Sequence, residues 1–266
     1  MKLEGKTALL TGATGGLGRA IAAALAERGA SVLLSSRKAD ELTELAAALP
    51  GEGHRALVAD LALEGTAERL VSEAGDVDIL VANAGLPGTG KIDDFSAEEI
   101  TRALRVNLEA PMRMSRQLVP AMQKRGEGHL VFIASLAGKA PSPRSAVYNA
   151  TKFGLRGFAL GLRCDLVGSG VGVSLVSPGF IRDAGLFADS GAKTPLGMGT
   201  ATPQDVAAAA VKAIERDKHE IAVAPRRQRA LAHFGLANPG MAVRAASGRA
   251  GRKAADAVAA GQTEKR

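Results

Sequence analysis

Thr11-Gly12-Ala13-Thr14-Gly15-Gly16-Leu17-Gly18 is the stretch on which the reading of the fold turns. An apolar run, Thr7–Thr11, leads into it. Leu17, Ile21 and Leu25 then recur at helical spacing until Gly29 ends the pattern. Glycines let backbone approach a phosphate closely, and the N-terminus of a helix attracts its charge. A glycine cluster alone says little. In this strand–turn–helix setting Gly12, Thr14, Gly15, Leu17 and Gly18 are expected to bind a nucleotide.

Outward from that turn, apolar runs alternate with helical periodicity. Strands are expected at Thr7–Thr11 and Ser31–Ser35, and near residues 54–59, 78–82, 129–134, 171–176 and 220–224. Helices are expected near 40–49, 65–74, 97–125, 145–168 and 203–216. Ile79-Leu80-Val81 and Leu130-Val131-Phe132-Ile133 are continuously apolar, as strands are when both faces of a parallel sheet are covered by helices. Right-handed crossovers then imply an α/β fold: a doubly wound, Rossmann-type, mostly parallel sheet with helices on both faces. Its ligand crevice would lie at the carboxyl ends of the strands. Residues 1–225 are expected to form this single domain. Within it, 182–201 has no clear periodicity and reads as a substrate loop or lid, mobile until a ligand orders it. Its side chains Ala184, Leu186, Phe187, Pro195, Leu196 and Met198 are an apolar set suited to a hydrophobic substrate.

The 266 residues suffice for a sizeable core, and 46% hydrophobic with 23% charged residues is ordinary for a soluble globular chain. No run reaches the roughly 18 apolar residues of a membrane span. The opening residues lack the apolar stretch of a signal peptide. The one cysteine, Cys164, allows no internal disulfide, so the cytoplasm is the expected compartment. The formal net charge of +7 is unevenly placed. Residues 226–266 carry nine Lys/Arg against Asp256 and Glu264, which accounts for the entire excess. This basic C-terminal extension is expected to be partly helical, over Arg244–Ala260. It reads either as a solvated extension or as a docking element. In the second reading Ala230, Leu231, Phe234 and Leu236 are apolar anchors toward an anionic membrane surface or an acidic partner such as an acyl carrier protein. With Phe234 its only aromatic residue, it is poorly suited to nucleic acid.

Two further places carry chemistry. The second strand ends in Leu34-Ser35-Ser36-Arg37, where a carboxylate would favour NAD by binding the adenosine ribose. Ser36 and Arg37 stand there instead, and arginine can pair a 2′-phosphate in a bidentate way, so NADP(H) is expected over NAD(H). In Tyr148-Asn149-Ala150-Thr151-Lys152 the first and last residues share a helix face. An ammonium there is expected to favour the phenolate and lower the tyrosine pKa. Tyr148 is the chain's only tyrosine, and its helix follows a strand ending near Ser135. The histidines, His54, His129, His219 and His233, show no metal-ligand spacing, which disfavours a zinc-dependent dehydrogenase.

In combination these motifs resemble the short-chain dehydrogenase/reductase family over roughly residues 3–225. The glycine pattern, Asp60-Leu61, Asn83-Ala84-Gly85, Asn107, Ser135, Tyr148 with Lys152, and Pro178-Gly179 follow in family order. The resemblance implies that Tyr148 exchanges a proton with the substrate oxygen while Ser135 holds that oxygen. It implies that Lys152 lowers the tyrosine pKa and binds the nicotinamide ribose, and that Asn107 holds a water in the proton relay. Asp60 and Leu61 would flank the adenine, Asn83, Ala84 and Gly85 would brace the sheet beside the cofactor, and Pro178, Gly179 and Ile181 would border it. Singly, Asn107 also reads as a helix cap, and Ser135 and Asp60 as turn formers. Two departures stand out: Ala82 replaces the first of two asparagines usual in the family, and Asp183 stands where threonine is common. The resemblance further implies a homodimer or homotetramer through the two long helices. The expected activity is interconversion of a ketone and a secondary alcohol, with a 3-oxoacyl thioester as the first substrate class. The alternative is an NADPH-binding regulatory or scaffold protein without turnover.

Overall fold

The computed structural model describes residues 1–195 and 197–263, Ala250 by its backbone alone. Leu196 of the expected lid and Glu264, Lys265 and Arg266 of the basic extension lie outside the described residues. The strands are β1 (Thr7–Thr11), β2 (Ser31–Ser36), β3 (Arg55–Val58), β4 (Ile79–Ala82), β5 (Gly128–Ile133), β6 (Val171–Pro178) and β7 (Glu220–Val223). They form one parallel sheet in the order β3-β2-β1-β4-β5-β6-β7. The order reverses between β1 and β4, and that switch point opens a crevice beyond the strand ends.

The helices are α1 (Gly16–Ala26), α2 (Ala39–Ala48), α3 (Thr66–Ala74), α4 (Ala97–Leu104), α5 (Ala110–Arg125), α6 (Ala146–Asp165), α7 (Gly185–Asp189), α8 (Pro203–Glu215), α9 (Arg226–Ala237), α10 (Pro239–Ala246) and α11 (Arg249–Ala260). The two-residue period of the strands divides the core in two. Leu10, Val32, Leu34 and Val81 pack under Ile21 and Leu25 of α1, Leu42 of α2 and Ile214 of α8. Leu9, Leu33, Leu80 and Phe132 pack on the other face under Leu70 of α3, Met114 and Leu118 of α5 and Leu155 of α6. Thr202 caps α8, its hydroxyl accepting from the Asp205 amide at 3.1 Å, with Pro203 in the first turn.

Three expectations are corrected. The helix expected over 97–125 is broken by a π-helical turn at Arg105–Glu109, which contains Asn107. The loop at 182–201 is not wholly irregular: it holds α7, and an Ile181–Ala201 bridge closes its base. The helix expected over Arg244–Ala260 is interrupted at Ser247-Gly248, where α10 gives way to α11. Among the described residues no helix is long and apolar enough to cross a membrane.

Candidate active site

A cavity of about 1140 Å³ opens at the carboxyl ends of β1, β2, β4, β5 and β6. Its near end is the β1–α1 turn. Gly12 has φ +64°, and a Cβ there would lie 2.9 Å from Ala84 Cα, so only glycine lets the turn sit against the end of β4. A Cβ on Gly18 would lie 2.1 Å from the Gly12 carbonyl oxygen, which fixes how closely α1 follows the turn. Asn83 ties the two strands together: its Nδ2 donates to the carbonyls of Thr11 (3.0 Å) and Gly12 (3.1 Å). The Thr11 hydroxyl accepts from the amides of Asn83 (3.1 Å) and Ala84 (3.0 Å). Gly15 precedes helix α1 without a side-chain cap, and Gly15, Gly16, Leu17 and Gly18 border the cavity, where the unpaired N–H groups of a helix start suit a phosphate. Ser36 and Arg37 form the wall past β2; the neighbouring Lys38 pairs with Glu41 at 2.6 Å, while Arg37 borders the cavity. Asp60 and Leu61 close the wall past β3, and the Asp60 Oδ1 accepts from the Ala62 amide (2.9 Å) in a turn. Glycine-lined approach, a helix N-terminus and an arginine beyond it form a donor set that fits a phosphorylated dinucleotide.

Ser135, Tyr148 and Lys152 meet deeper in the same cavity. Ser135 follows β5, its hydroxyl accepting from the Ala137 amide at 3.1 Å. Tyr148 and Lys152 lie one turn apart on α6, and the Tyr148 amide donates to the Gly88 carbonyl (3.1 Å), seating α6 against the loop after β4. Lys152 is 4% exposed; its Nζ donates to the Ile133 carbonyl (3.0 Å) and stands 5.7 Å from the centre of the Tyr148 ring. Burial pushes the Tyr148 phenol up to about 12, opposed by its hydrogen bond with Ser135. Burial pulls Lys152 down to about 8. The expected lowering of the tyrosine is therefore not what this surrounding produces: loss of water outweighs the Ser135 hydrogen bond.

Asn107 does not line the cavity. It is 1% exposed, and the π-helical turn aims its amide at Leu86: Oδ1 accepts from the Leu86 amide (2.7 Å) and Nδ2 donates to the Leu86 carbonyl (2.9 Å). The side chain braces the loop after β4. Asp183 also stays away from the cavity lining. It has φ +68°, pairs with Arg182 at 3.2 Å, and its side chain is 69% exposed. Gly12, Thr14, Gly15, Leu17, Gly18, Asn83, Ala84, Gly85, Pro178, Gly179 and Ile181 all border the cavity.

Several lining or clamping residues carry no motif. Asn149 Nδ2 donates to the carbonyls of Ala137 (2.6 Å) and Ala140 (3.0 Å), holding the Ser135 turn against α6. Its place between Tyr148 and Lys152 was the only signal. Gln228 of α9 accepts from the Phe180 amide (3.1 Å) and donates to the carbonyls of Met198 (3.1 Å) and Gly199 (2.8 Å), pinning both ends of the lid. Of the apolar anchors expected in the extension, Leu231 and Phe234 line the cavity.

Comparison with known proteins agrees with this geometry. The family model described as short chain dehydrogenase matches residues 6–194. A ketoacyl reductase, HetN, of Nostoc sp. (strain PCC 7120) is 39% identical over 227 residues, 83% of this chain and 79% of that protein. The structure of a 3-ketoacyl-(acyl-carrier-protein) reductase from Brucella melitensis complexed with NADH superposes with a TM-score of 0.75 at 28% identity, covering 85% of this chain and 99% of that one. A short-chain dehydrogenase from Sphingobium yanoikuyae in complex with NADPH gives 0.75 at 26% identity, covering 92% and 97%. With its doubly wound sheet and these relatives, the chain is an oxidoreductase belonging to the short-chain dehydrogenase/reductase family.

Proposed function

We propose that this enzyme is an NADP(H)-dependent reductase of ketones that carry an apolar or acyl chain, 3-oxoacyl thioesters first among them. The observation that carries the reading is the joining of Tyr148, Ser135 and Lys152 to the glycine-turn cradle in one cavity. A bound nicotinamide dinucleotide would supply the hydride that goes to the carbonyl carbon. Gly12, Thr14, Gly15, Leu17 and Gly18 would hold its pyrophosphate, Asp60 and Leu61 its adenine, and Asn83, Ala84, Gly85, Pro178, Gly179 and Ile181 would border the rest. Arg37 and Ser36 favour the 2′-phosphate, since Ser35-Ser36-Arg37 offers no carboxylate to a ribose.

Ser135 donates a hydrogen bond to the carbonyl oxygen, and Tyr148 gives that oxygen its proton as the C–O double bond becomes single. The ketone gains one hydride at carbon and one proton at oxygen; the phenolate left behind takes a proton from solvent. A phenol pushed up to about 12 is protonated throughout the neutral range, as an acid for reduction must be. Lys152 bears on the phenolate and binds the ribose; Asn107 acts through the Leu86 loop. The outward cations of α9–α11 suit an acidic carrier protein bearing the acyl chain, with an anionic membrane surface as the other surface of like charge. Exposed Leu104, Met112 and Phe153 on α4, α5 and α6 suit a homo-oligomer through those helices, acting in the cytoplasm.

NADPH oxidation with a panel of ketones and 3-oxoacyl thioesters tests the reading and separates it from a scaffold without turnover. Tyr148→Phe removes only the hydroxyl. NADPH binding should survive while turnover falls about 100-fold or more, the scale of general-acid loss. Near-normal turnover in that variant overturns the mechanism.

A further inference from the structure

The cavity has a second wall that neither the glycine turn nor the Tyr148 site explains. Helices α9–α11 fold back over it, beyond residue 194 where the family match ends. Along α11 and just past it, Gly251, Ala254, Ala255, Val258 and Gln262 border the cavity. Spacings of three, four, seven and eleven residues from Gly251 place them on one helix face. The opposite face carries exposed Arg252, Lys253, Asp256 and Ala257. The inner face is thus uncharged, and up to Gln262 none of these side chains is larger than valine.

Gln262 is 2% exposed and its amide is already engaged. Its Oε1 accepts from the Thr89 hydroxyl and its Nε2 donates to the Leu186 carbonyl, both at 2.5 Å. This wall therefore offers a ligand room and apolar contact. It is also fastened. Gln262 joins the end of α11 to the loop after β4 and to α7. Gly261 presses on the residue after α7, where a Cβ would lie 2.0 Å from the Ser190 carbonyl oxygen. Asp256 pairs with Arg144, in the loop before α6, at 2.5 Å. The cavity, about 1140 Å³, runs from the glycine turn past Tyr148 and Ser135 to the α11 face.

We propose that α11 sets the chain length this reductase accepts: the unbranched apolar tail of the ketone runs from Ser135 and Tyr148 to lie against Ala254, Ala255 and Val258. Gln262 is the positioning residue that keeps this wall in place. The inference rests on the ketone-reductase reading and adds to it the shape of the substrate.

The test compares kcat/KM for short and long straight-chain ketones with NADPH. The unmodified enzyme should prefer the long ones. Ala255→Phe should lower kcat/KM for long chains by about tenfold or more, the discrimination a filled apolar pocket gives. Short ketones and NADPH affinity should be unaffected. Ala255→Val should give a smaller, graded loss. Ala257→Phe adds the same bulk on the exposed face and should change nothing. Gln262→Ala should raise KM for long ketones severalfold, keep kcat for short ones, and speed hydrogen exchange in 185–189 and 249–260. If Ala255→Phe and Ala255→Val leave the long-to-short ratio unchanged while ketones are reduced, the chain-length assignment fails and the reductase reading stands. If the unmodified enzyme reduces no ketone of any length, both fall.

Discussion

At Lys152 two requirements oppose each other. The proposed chemistry wants an ammonium beside the phenol, while the surroundings favour a neutral amine, with burial pulling the group down to about 8 from an ordinary 10.5. Between those values the unfolded chain holds a proton that the folded chain lacks, so stability should rise as pH climbs through that window. Below about 8 both states carry the charge and the folded protein bears the cost of burying it, on the order of 3 kcal/mol. Lys152→Met should therefore abolish activity yet stabilise the fold at neutral pH by about 1–3 kcal/mol, less whatever the unpartnered Ile133 carbonyl costs. Urea midpoints at pH 7 for the two proteins check this; a variant less stable than the parent would refute it. Arg37 is argued from charge alone. Losing a charge-assisted contact costs about 1.5–3 kcal/mol, so Arg37→Ala should reduce the preference for NADPH over NADH about tenfold or more. Equal affinity for both cofactors in the parent would contradict the assignment. Tyr148, Lys152 and Ser135 were legible because their signal is local: a four-residue spacing, and a strand end. Gln228 and Gln262 were not, because a glutamine that clamps backbone 29 to 76 residues away has no spacing to betray it.

Among the elements, the β5–β6 pair holds an acid-sensitive joint. His129 on β5 is 2% exposed and shares a 2.8 Å hydrogen bond with Ser174 on β6. Gly172 on β6 makes room for the imidazole, since a Cβ there would lie 2.3 Å from its Nδ1. Burial pulls His129 down to about 4 from 6.5. As pH falls through that interval the unfolded chain gains a proton that the folded chain refuses, and stability should drop by up to about 3 kcal/mol. His129→Gln keeps a partner for Ser174 without titrating, so its stability should fall less than the parent's between neutral pH and pH 4. Parallel acid curves for the two proteins would sink this. Strands were legible to within a residue or two, because continuous apolar runs leave few alternatives. The break in the helix expected over 97–125 was not, because the π-helical turn at Arg105–Glu109 goes with Asn107 bonding to Leu86, a tertiary contact. The same holds for α7, five residues long and held from outside by Gln262.

Across the whole molecule, charge and apolar surface are sorted by the C-terminal helices. Ala232, Ala242, Ala245, Ala246, Ala254 and Ala255 border the cavity, and Arg226, Arg227, Arg229, Arg244, Arg249, Arg252 and Lys253 face water. The extension was legible as basic and partly helical; that it walls the cavity was not, because alanine at helical spacing reads as propensity until a partner surface is known. If those cations receive an acidic carrier, KM for a carrier-borne 3-oxoacyl chain should rise severalfold with salt, as the screening length shrinks from about 30 Å at 0.01 M to about 3 Å at 1 M. The same chain on a small neutral thiol should be indifferent. Equal salt response for both would dismiss the carrier, and salt-sensitive co-sedimentation with anionic vesicles would then assign the cations to a membrane. A last property belongs to the molecule as a whole. It contains one tyrosine and no tryptophan, and that tyrosine lies in the cavity beside Ser135 and Lys152. Its near-ultraviolet absorbance and intrinsic emission therefore arise chiefly at a single phenol, so an ordinary spectrophotometric titration reads the ionisation of that one group without a label or a background of other chromophores.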